Sequence, residues 1–327
     1  MRKIIQPKAP LYSGSTPLWG STRTLQVKMI DDAQPLILKA SWPEITGKKE
    51  VTIIHKARLI NSSPAITISI VASVDDCHHS TGTAQDNLGI TNARNGTNPR
   101  IPKMMLGVIL TPILKLKVKN FMKAWVQCYQ CHYLLWKMRT THGDVSRENL
   151  MWDPWVDKNV GVLLDFDLAS SPDCSGRSGD RMGTVPYMAR DILTDDYFDG
   201  NVAREYRHDL ESFIWVLFWT ALDDNKSTQV PRPWWRTSDF KSSYIAKSAV
   251  LMGIVFDKKT NFLGSEEHRK RWHFAVSSLE FLFRMKGRED LSADQLFREF
   301  EYFVARNWKW EGEGAPKPLL KDSDPIL

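Results

Sequence analysis

The sequence has little of three features that would assign a chain quickly to a class. Its four cysteines among 327 residues are too few for a disulfide framework. No apolar run approaches the length of about 18 residues that indicates a membrane-spanning helix. The start of the chain has a basic patch but lacks the apolar stretch of a signal peptide. We therefore expect a cytoplasmic or nuclear protein that does not span a membrane.

A metal or haem site based on cysteine is also not expected. Cys128, Cys131 and His132 have the spacing of a covalent haem attachment motif. However, they lie in a stretch whose apolar residues recur with helical spacing, where cysteines three residues apart usually pack in a core. A zinc site would need a second pair of cysteines, which the sequence does not contain.

The overall composition is that of a globular protein with a sizeable core. Hydrophobic residues make up 42% of the chain and charged residues 25%, as is usual for globular domains. The net charge of +6 and the isoelectric point of about 9.0 suit an anionic ligand such as a nucleotide. Lysines and arginines are mixed with acidic residues along most of the chain, so we do not expect nucleic acid as a partner.

The pattern of elements predicts an α+β protein with two lobes. Residues 1–112 form a small β-rich lobe, residues 113–311 a larger and mainly helical lobe, and residues 312–327 a flexible tail. Strands are expected at 24–30, 35–39, 65–74, 101–106 and 161–165, and helices at 42–58, 119–138, 209–222 and 265–285. Ser41 and Glu44 have the spacing of a capping box, and Ser265 is placed as an N-cap.

Two connecting segments are expected in the first lobe. Residues 75–100 are polar, without periodicity, and longer than a usual loop, so they are predicted to form a mobile insert. Residues 107–112 are predicted to be a connector at the lobe boundary.

The chemistry is concentrated in a loop and a later strand. Asp144 follows His142 by two residues, Asn149 follows Asp144 by five, and Asp165 ends the expected strand. Phosphoryl transfer needs a carboxylate that orients and deprotonates the acceptor hydroxyl, and oxygen ligands that hold Mg²⁺ against the phosphates. The same spacing occurs in the protein-kinase signature. Asp144 is therefore the candidate base, and Asn149 and Asp165 are the candidate metal ligands.

Three further residues are candidates for nucleotide binding. Lys39 ends a short apolar strand, where its ammonium could pair with phosphates, and Glu50 on the following helix could hold it in place. A G-x-G-x-x-G loop is absent. Gly20 alone is placed where the backbone would approach a phosphate, and an ordinary turn is an equally good interpretation of it.

Two segments further along the chain fit the same interpretation. Residues 183–189 resemble the stretch that shapes the acceptor site in kinases. Asp209 begins a strongly apolar helix, where a carboxylate is favoured by the helix dipole, and in a kinase it would also brace the backbone of the catalytic loop.

These motifs resemble the fungal-type protein kinase domain family. Four blocks carry the likeness, at residues 36–42, 142–149, 161–169 and 206–213, and the resemblance extends roughly from Gly20 to Met285. It implies a two-lobed kinase fold, use of ATP and Mg²⁺, and transfer to serine or threonine of a protein substrate. It also implies the roles given above for Lys39, Glu50, Asp144, Asn149 and Asp165. We expect the protein to be a monomer.

Two departures from protein kinases keep alternatives open. Gly143 stands where kinases commonly have an arginine that grips a phosphorylated activation loop, so switching by such a phosphorylation is not expected. The region before Gly20 is short, so the first strand and glycine loop are expected to be incomplete. A small-molecule phosphotransferase of the aminoglycoside or choline type and a pseudokinase scaffold are the alternative functions.

Overall fold

The structure is a computed structural model of the whole chain. It describes residues 4–5, 10–13, 23–29, 32–41, 50–58, 66–67, 72–80, 105–112, 121–153, 160–169, 183–223, 239–256, 265–287, 291–310 and 315–320. Two compact units divide the chain. The first comprises residues 1–59 and 67–115, and the second comprises residues 60–66 and 116–327. The sequence places the lobe boundary at residue 112.

The first unit is built on an antiparallel sheet. Its strands are β1 (Ile4–Ile5), β2 (Pro10–Ser13), β3 (Arg23–Met29), β4 (Asp32–Ser41), β6 (Ala72–Ser80) and β7 (Met105–Pro112). The order in the sheet is β1-β3-β4-β7-β6, and β2 also pairs with β3. Helix α1 (Glu50–Arg58) follows β4. A two-residue strand, β5 (Ile66–Thr67), falls where the chain passes from one unit to the other.

Two expectations for this unit are wrong. Residues 107–112 belong to β7 rather than to a connector, because β7 pairs with β4 on one side and β6 on the other. Residues 75–80, expected in the mobile insert, form part of β6. Ser41 is the last residue of β4, and the residues that its side chain was expected to cap are outside the described part of the chain. Residues 42–49, 81–100 and Gly20 lie outside the described residues.

The second unit is mainly helical and contains one small hairpin. Its helices are α2 (Phe121–Lys137), α3 (Asp195–Phe198), α4 (Tyr206–Asp223), α5 (Phe240–Phe256), α6 (Glu266–Lys286) and α7 (Ala293–Asn307). The hairpin pairs β8 (Leu150–Asp153) with β9 (Val160–Leu163). Short 3-10 helices cover Arg147–Asn149 and Asp191–Leu193. The helices expected from the sequence lie within one to three residues of α2, α4 and α6, whereas α5 and α7 were not predicted.

The core of this unit surrounds helix α4. Its residues from Leu210 to Trp219 are all buried, as expected of a helix that is apolar on every side. Trp125 of α2 is fully buried and donates a hydrogen bond from Nε1 to the carbonyl of Phe213, 2.8 Å away. The ring of Trp125 also meets those of Phe274 and Phe300 edge to face. Helices α2, α4, α6 and α7 therefore share one aromatic core.

One predicted helix cap is confirmed, and part of the expected tail is held in place. Ser265 caps α6, and its side chain accepts a hydrogen bond from the amide of His268. Residues 315–320, which were expected in a flexible tail, are held by Glu301 of α7. Its carboxylate accepts hydrogen bonds from the amides of Leu319, at 3.0 Å, and Leu320, at 3.3 Å. Among the described helices, none is long and apolar enough to cross a membrane.

Candidate active site

The hairpin of the second unit brings the two candidate metal ligands to one end. Leu150 of β8 pairs with Leu163 of β9, and the amide of Leu164 donates a hydrogen bond to the carbonyl of Asn149, 2.9 Å away. Asn149 thus lies opposite the residue that precedes Asp165. Strand pairing alone therefore places an amide side chain and a carboxylate, both oxygen donors, at the same end of the hairpin.

His142 ties the catalytic loop to the same strand. Its side chain is fully buried, and Nε2 lies 2.8 Å from the carbonyl oxygen of Leu164, which can only accept. The amide of Asp144 donates to Nδ1 at 3.3 Å. The ring is therefore neutral, with its proton on Nε2. Burial lowers the pKa of His142, which is opposed by the charges of Asp209 and Asp144, and this agrees with a neutral ring.

The carboxylate of Asp144 is held on more than one side. The amide and the hydroxyl of Thr184 each donate to Oδ1 at 2.7 Å. Nδ2 of Asn149 donates to the backbone carbonyl of Asp144 at 2.8 Å and lies 3.5 Å from Oδ2. Because Nδ2 of Asn149 faces Asp144, its Oδ1 is directed away from that residue.

The backbone of Asp165 has an uncommon conformation. Its φ angle is +63°, in the left-handed region that aspartate and asparagine tolerate better than most residues. The next residue, Phe166, is fully buried, and its ring centroid lies 4.9 Å from that of His142. A conformation of this kind persists only where the surroundings determine it, and such positions cluster at functional sites. Burial of Phe166 fixes the chain while the Asp165 side chain stays partly exposed.

Gly143 is required by the shape of the loop. Its φ is +85°, and a Cβ atom there would lie 2.4 Å from the carbonyl oxygen of Leu168. No larger side chain fits at that distance, so an arginine could not replace the glycine without a rearrangement of the backbone. Gly183, with φ +127°, passes close to the carbonyl of Gly143. Gly143 thus lets the catalytic loop pass close to Leu168, and Gly183 lets residues 183–184 approach the catalytic loop.

In the first unit, the two candidate phosphate-anchoring residues form an ion pair. Nζ of Lys39, on β4, lies 2.9 Å from Oε2 of Glu50, in the first turn of α1. Both side chains are largely buried, with 13% and 7% of their surface exposed. Glu50 thus holds the ammonium in a defined position, as its proposed role requires.

Asp209 has a different set of contacts from the one expected. Its carboxylate is buried and is bound by Nη2 of Arg204, at 2.5 Å, and by Nε2 of His132, at 2.8 Å. These bonds join the start of α4 to α2, whereas the sequence interpretation placed Asp209 against the backbone of the catalytic loop. The pKa of Asp209 lies well below its usual value because the Arg204 charge and the His132 hydrogen bond outweigh its burial.

The haem-like motif is part of the core. Cys128 and Cys131 are both buried, and the thiol pKa of Cys128 is raised by burial. His132 is occupied by Asp209. This agrees with the expectation that the motif serves packing.

Sequence reasoning missed two charged residues near the segment 183–189. Lys247 of α5 is fully buried and binds carbonyl oxygens of that segment, although its helix was not predicted. Glu211 of α4 accepts a hydrogen bond from the amide of Arg190 at 2.8 Å. A lysine in the middle of a largely apolar stretch was the available sign for Lys247.

Comparison with known proteins supports the motif-based resemblance. Residues 109–221, about a third of the chain, match the model of the fungal protein kinase family. The match includes Asp144, Asn149, Asp165 and Thr184, and it confirms the resemblance over that stretch. A solved structure, the kinase PK-1 of Cydia pomonella granulovirus, is similar with a TM-score of 0.40 and 13% identity, covering 64% of this chain and 67% of the viral one. No curated protein matches the sequence.

Proposed function

We propose that this chain, whose residues 109–221 match the fungal protein kinases, transfers the γ-phosphoryl group of ATP to a serine or threonine hydroxyl of a protein. One observation carries the proposal above the others. Asp144 is held by Thr184 and Asn149 in a loop that the buried His142 joins to the strand before Asp165. A candidate base is thus fixed beside candidate metal ligands, as phosphoryl transfer requires.

The residues present suit a magnesium ion. Asn149 offers an amide oxygen and Asp165 a carboxylate, and Mg²⁺ prefers such oxygen ligands together with phosphate oxygens and water. When bound, the ion would neutralise charge that develops on the phosphates. In the first unit, the ammonium of Lys39, held by Glu50, would bind phosphate oxygens of the nucleotide.

The acceptor hydroxyl would be oriented by Asp144. Its Oδ1 receives both hydrogen bonds from Thr184, which leaves Oδ2, 3.5 Å from the Asn149 amide, as the oxygen better placed to accept the hydroxyl proton. A carboxylate that is fixed before the acceptor binds avoids the cost of ordering it during the reaction. The acceptor oxygen would form its bond to the γ-phosphorus as the bond from that phosphorus to the bridging oxygen breaks and ADP leaves, and the hydroxyl proton would pass to Oδ2 of Asp144.

A protein acceptor is favoured over a small molecule by the position of residues 183–189. Near the start of the segment, Thr184 is hydrogen-bonded to Asp144. Just beyond its end, residues 190–193 are bound to α4 and α6. Asp191 accepts hydrogen bonds from Arg207 at 2.5 Å and from Lys286 at 2.8 Å. The segment forms two overlapping turns, in which the amides of Tyr187 and Met188 donate to the carbonyls of Thr184 and Val185. A firmly held segment of backbone next to the base is suited to receive a polypeptide.

The test is nucleotide binding and transfer in the parent, in Asp165→Asn and in Asp196→Asn, an exposed carboxylate used as a control. The parent and the control should be stabilised by ATP with Mg²⁺, by about 2.7 kcal/mol at 100 times the dissociation constant. They should also label a degenerate serine and threonine peptide library. Asp165→Asn should lose the part of this stabilisation that depends on magnesium. Binding without transfer to any peptide would favour a scaffold, and labelling of aminoglycosides or choline would favour the small-molecule alternative.

A further inference from the structure

Lys247 is an uncommon residue for the interior of a protein. It lies on helix α5, its side chain is fully buried, and lysine is almost never buried to that extent unless it is paired. Its Nζ donates hydrogen bonds to the carbonyl oxygens of Met188 and Val185, the latter at 3.5 Å. Both carbonyls belong to the segment 183–189. The lysine therefore binds the backbone of that segment directly.

The groups around this ammonium favour a positive charge, although none of the direct contacts is an ion pair. Nζ lies 4.8 Å from the centroid of the Trp215 ring, within the range of a cation–π interaction. Nε1 of Trp215 donates to Oε1 of Glu211 at 3.0 Å. In the described part of the chain, the direct contacts of the ammonium are carbonyls and an aromatic face, and the Glu211 charge acts on it from further away.

The same glutamate holds the following residue. Oε1 of Glu211 accepts a hydrogen bond from the amide of Arg190 at 2.8 Å. The segment is thus bound on its carbonyls by a cation from α5 and, just beyond its end, on an amide by an anion from α4. Charged groups form stronger hydrogen bonds than neutral ones, and these two match the polarity of the backbone that they meet. At the start of the segment, Thr184 binds Asp144.

We propose that Lys247 is a positioning residue: its ammonium holds residues 185–188 in the conformation that keeps Thr184 on Asp144 and receives the acceptor protein. The inference rests on the proposed function where it names the acceptor. The structural part, that the ammonium orders this segment, stands on the contacts alone. A lysine that merely filled space would be replaceable by an apolar side chain of similar length.

The experiment compares the parent with Lys247→Met, which keeps the length of the side chain and removes its charge. Lys247→Arg keeps a cationic donor, and Lys241→Met changes an exposed lysine of the same helix. The first measurement is amide hydrogen exchange of residues 183–190, which needs no substrate. We expect faster exchange there in Lys247→Met, with parental exchange in Lys241→Met and a return towards it in Lys247→Arg. Thermal unfolding identifies any variant that fails to fold.

The second measurement is steady-state kinetics with the best serine or threonine peptide from a degenerate library. In Lys247→Met, KM for the peptide should rise about tenfold, the size of a lost hydrogen bond to a charged group. KM for ATP should stay at the parental value. Faster exchange in Lys247→Met, together with a parent that labels no peptide, would support the positioning role while removing the proposed function. Unchanged exchange in a folded Lys247→Met, or equal changes in both KM values, would overturn the inference.

Discussion

Thr184 donates hydrogen bonds from both its amide and its hydroxyl to the same carboxylate oxygen of Asp144, and each bond is 2.7 Å long. The two residues are 40 positions apart in the sequence. Their contact joins the candidate base to the segment that would receive the acceptor. It also makes the two carboxylate oxygens different: Oδ1 is held by Thr184, and Oδ2 is the oxygen that would act on the acceptor hydroxyl in the proposed reaction.

Asp144→Asn should abolish most transfer with little effect on nucleotide binding. Asparagine keeps an oxygen that can accept both Thr184 hydrogen bonds, so the loop should hold, but it cannot take up the proton. Loss of a general base usually costs about 10²- to 10⁴-fold in rate. Single-turnover transfer and ATP-dependent thermal shifts measure the two properties. Asp196→Asn is the control, and a parental rate in Asp144→Asn would refute the assignment of the base.

Thr184→Val should lower the rate through Asp144. Valine has nearly the shape of threonine and keeps the hydrogen bond from the backbone amide to Asp144, so only the donation from the hydroxyl to Oδ1 is lost. A hydrogen bond to a charged group contributes about 1.5 to 3 kcal/mol, so transfer should fall by about tenfold or more. Thr184→Ser keeps the hydroxyl and should stay close to the parental rate. Equal rates in the valine and serine variants would mean that the hydroxyl does not position the base.

The elements that were predictable from the sequence are those whose information is local. The loop from His142 to Asn149 and the strand before Asp165 could be placed because their spacing is short and their chemistry is specific. The register Leu150↔Leu163 then brings Asn149 and Asp165 to one end of the hairpin. The Lys39–Glu50 contact could be anticipated for the same reason, since only 11 residues separate them.

Other features depend on contacts that a local pattern does not contain. Gly107 and Pro112 indicate a connector, yet residues 107–112 form a strand because β4 and β6 pair with it on both sides. The role of Lys247 depends on carbonyls about 60 positions earlier in the chain. The partners of Asp209 also come from tertiary packing, which sets His132 and Arg204 against it. The spacing of residues in the sequence does not predict such long-range contacts.

Gly143→Ala should destabilise the second unit and its candidate site together. The left-handed backbone costs a residue with a Cβ about 1 to 2 kcal/mol, and the added atom would also lie 2.4 Å from the carbonyl oxygen of Leu168. We expect a lower free energy of unfolding by at least that amount and a reduced transfer rate. Chemical denaturation measures the first quantity.

The control for this substitution is Gly253→Ala. Gly253 lies in α5, and a Cβ there would meet no atom within 4 Å. Alanine is favoured over glycine inside a helix by about 0.8 to 1 kcal/mol, so this variant should be as stable as the parent or more so. If both alanine variants had parental stability, steric exclusion would not explain the glycine at position 143.

The pH dependence of acceptor binding should report on Lys247. Burial lowers its pKa from the usual value to about 7, and the charge of Glu211 opposes that shift. The ammonium that binds the carbonyls of Val185 and Met188 therefore predominates below about pH 7 and is lost as the pH rises through that value. KM for a peptide without groups that titrate in this range should therefore increase between pH 6 and pH 9. Lys247→Met should lack this increase of KM with pH.

Stability should change in the opposite direction over the same range. The folded-state pKa of Lys247, about 7, is below that of the unfolded chain, about 10.4, so the unfolded state binds the extra proton between these values and the lysine makes the free energy of unfolding rise with pH. The difference in free energy of unfolding between the parent and Lys247→Met, measured by chemical denaturation, should therefore rise with pH. Acceptor binding should weaken over the same range. A difference that is flat from pH 6 to pH 9 in both measurements would show that Lys247 keeps one charge state throughout.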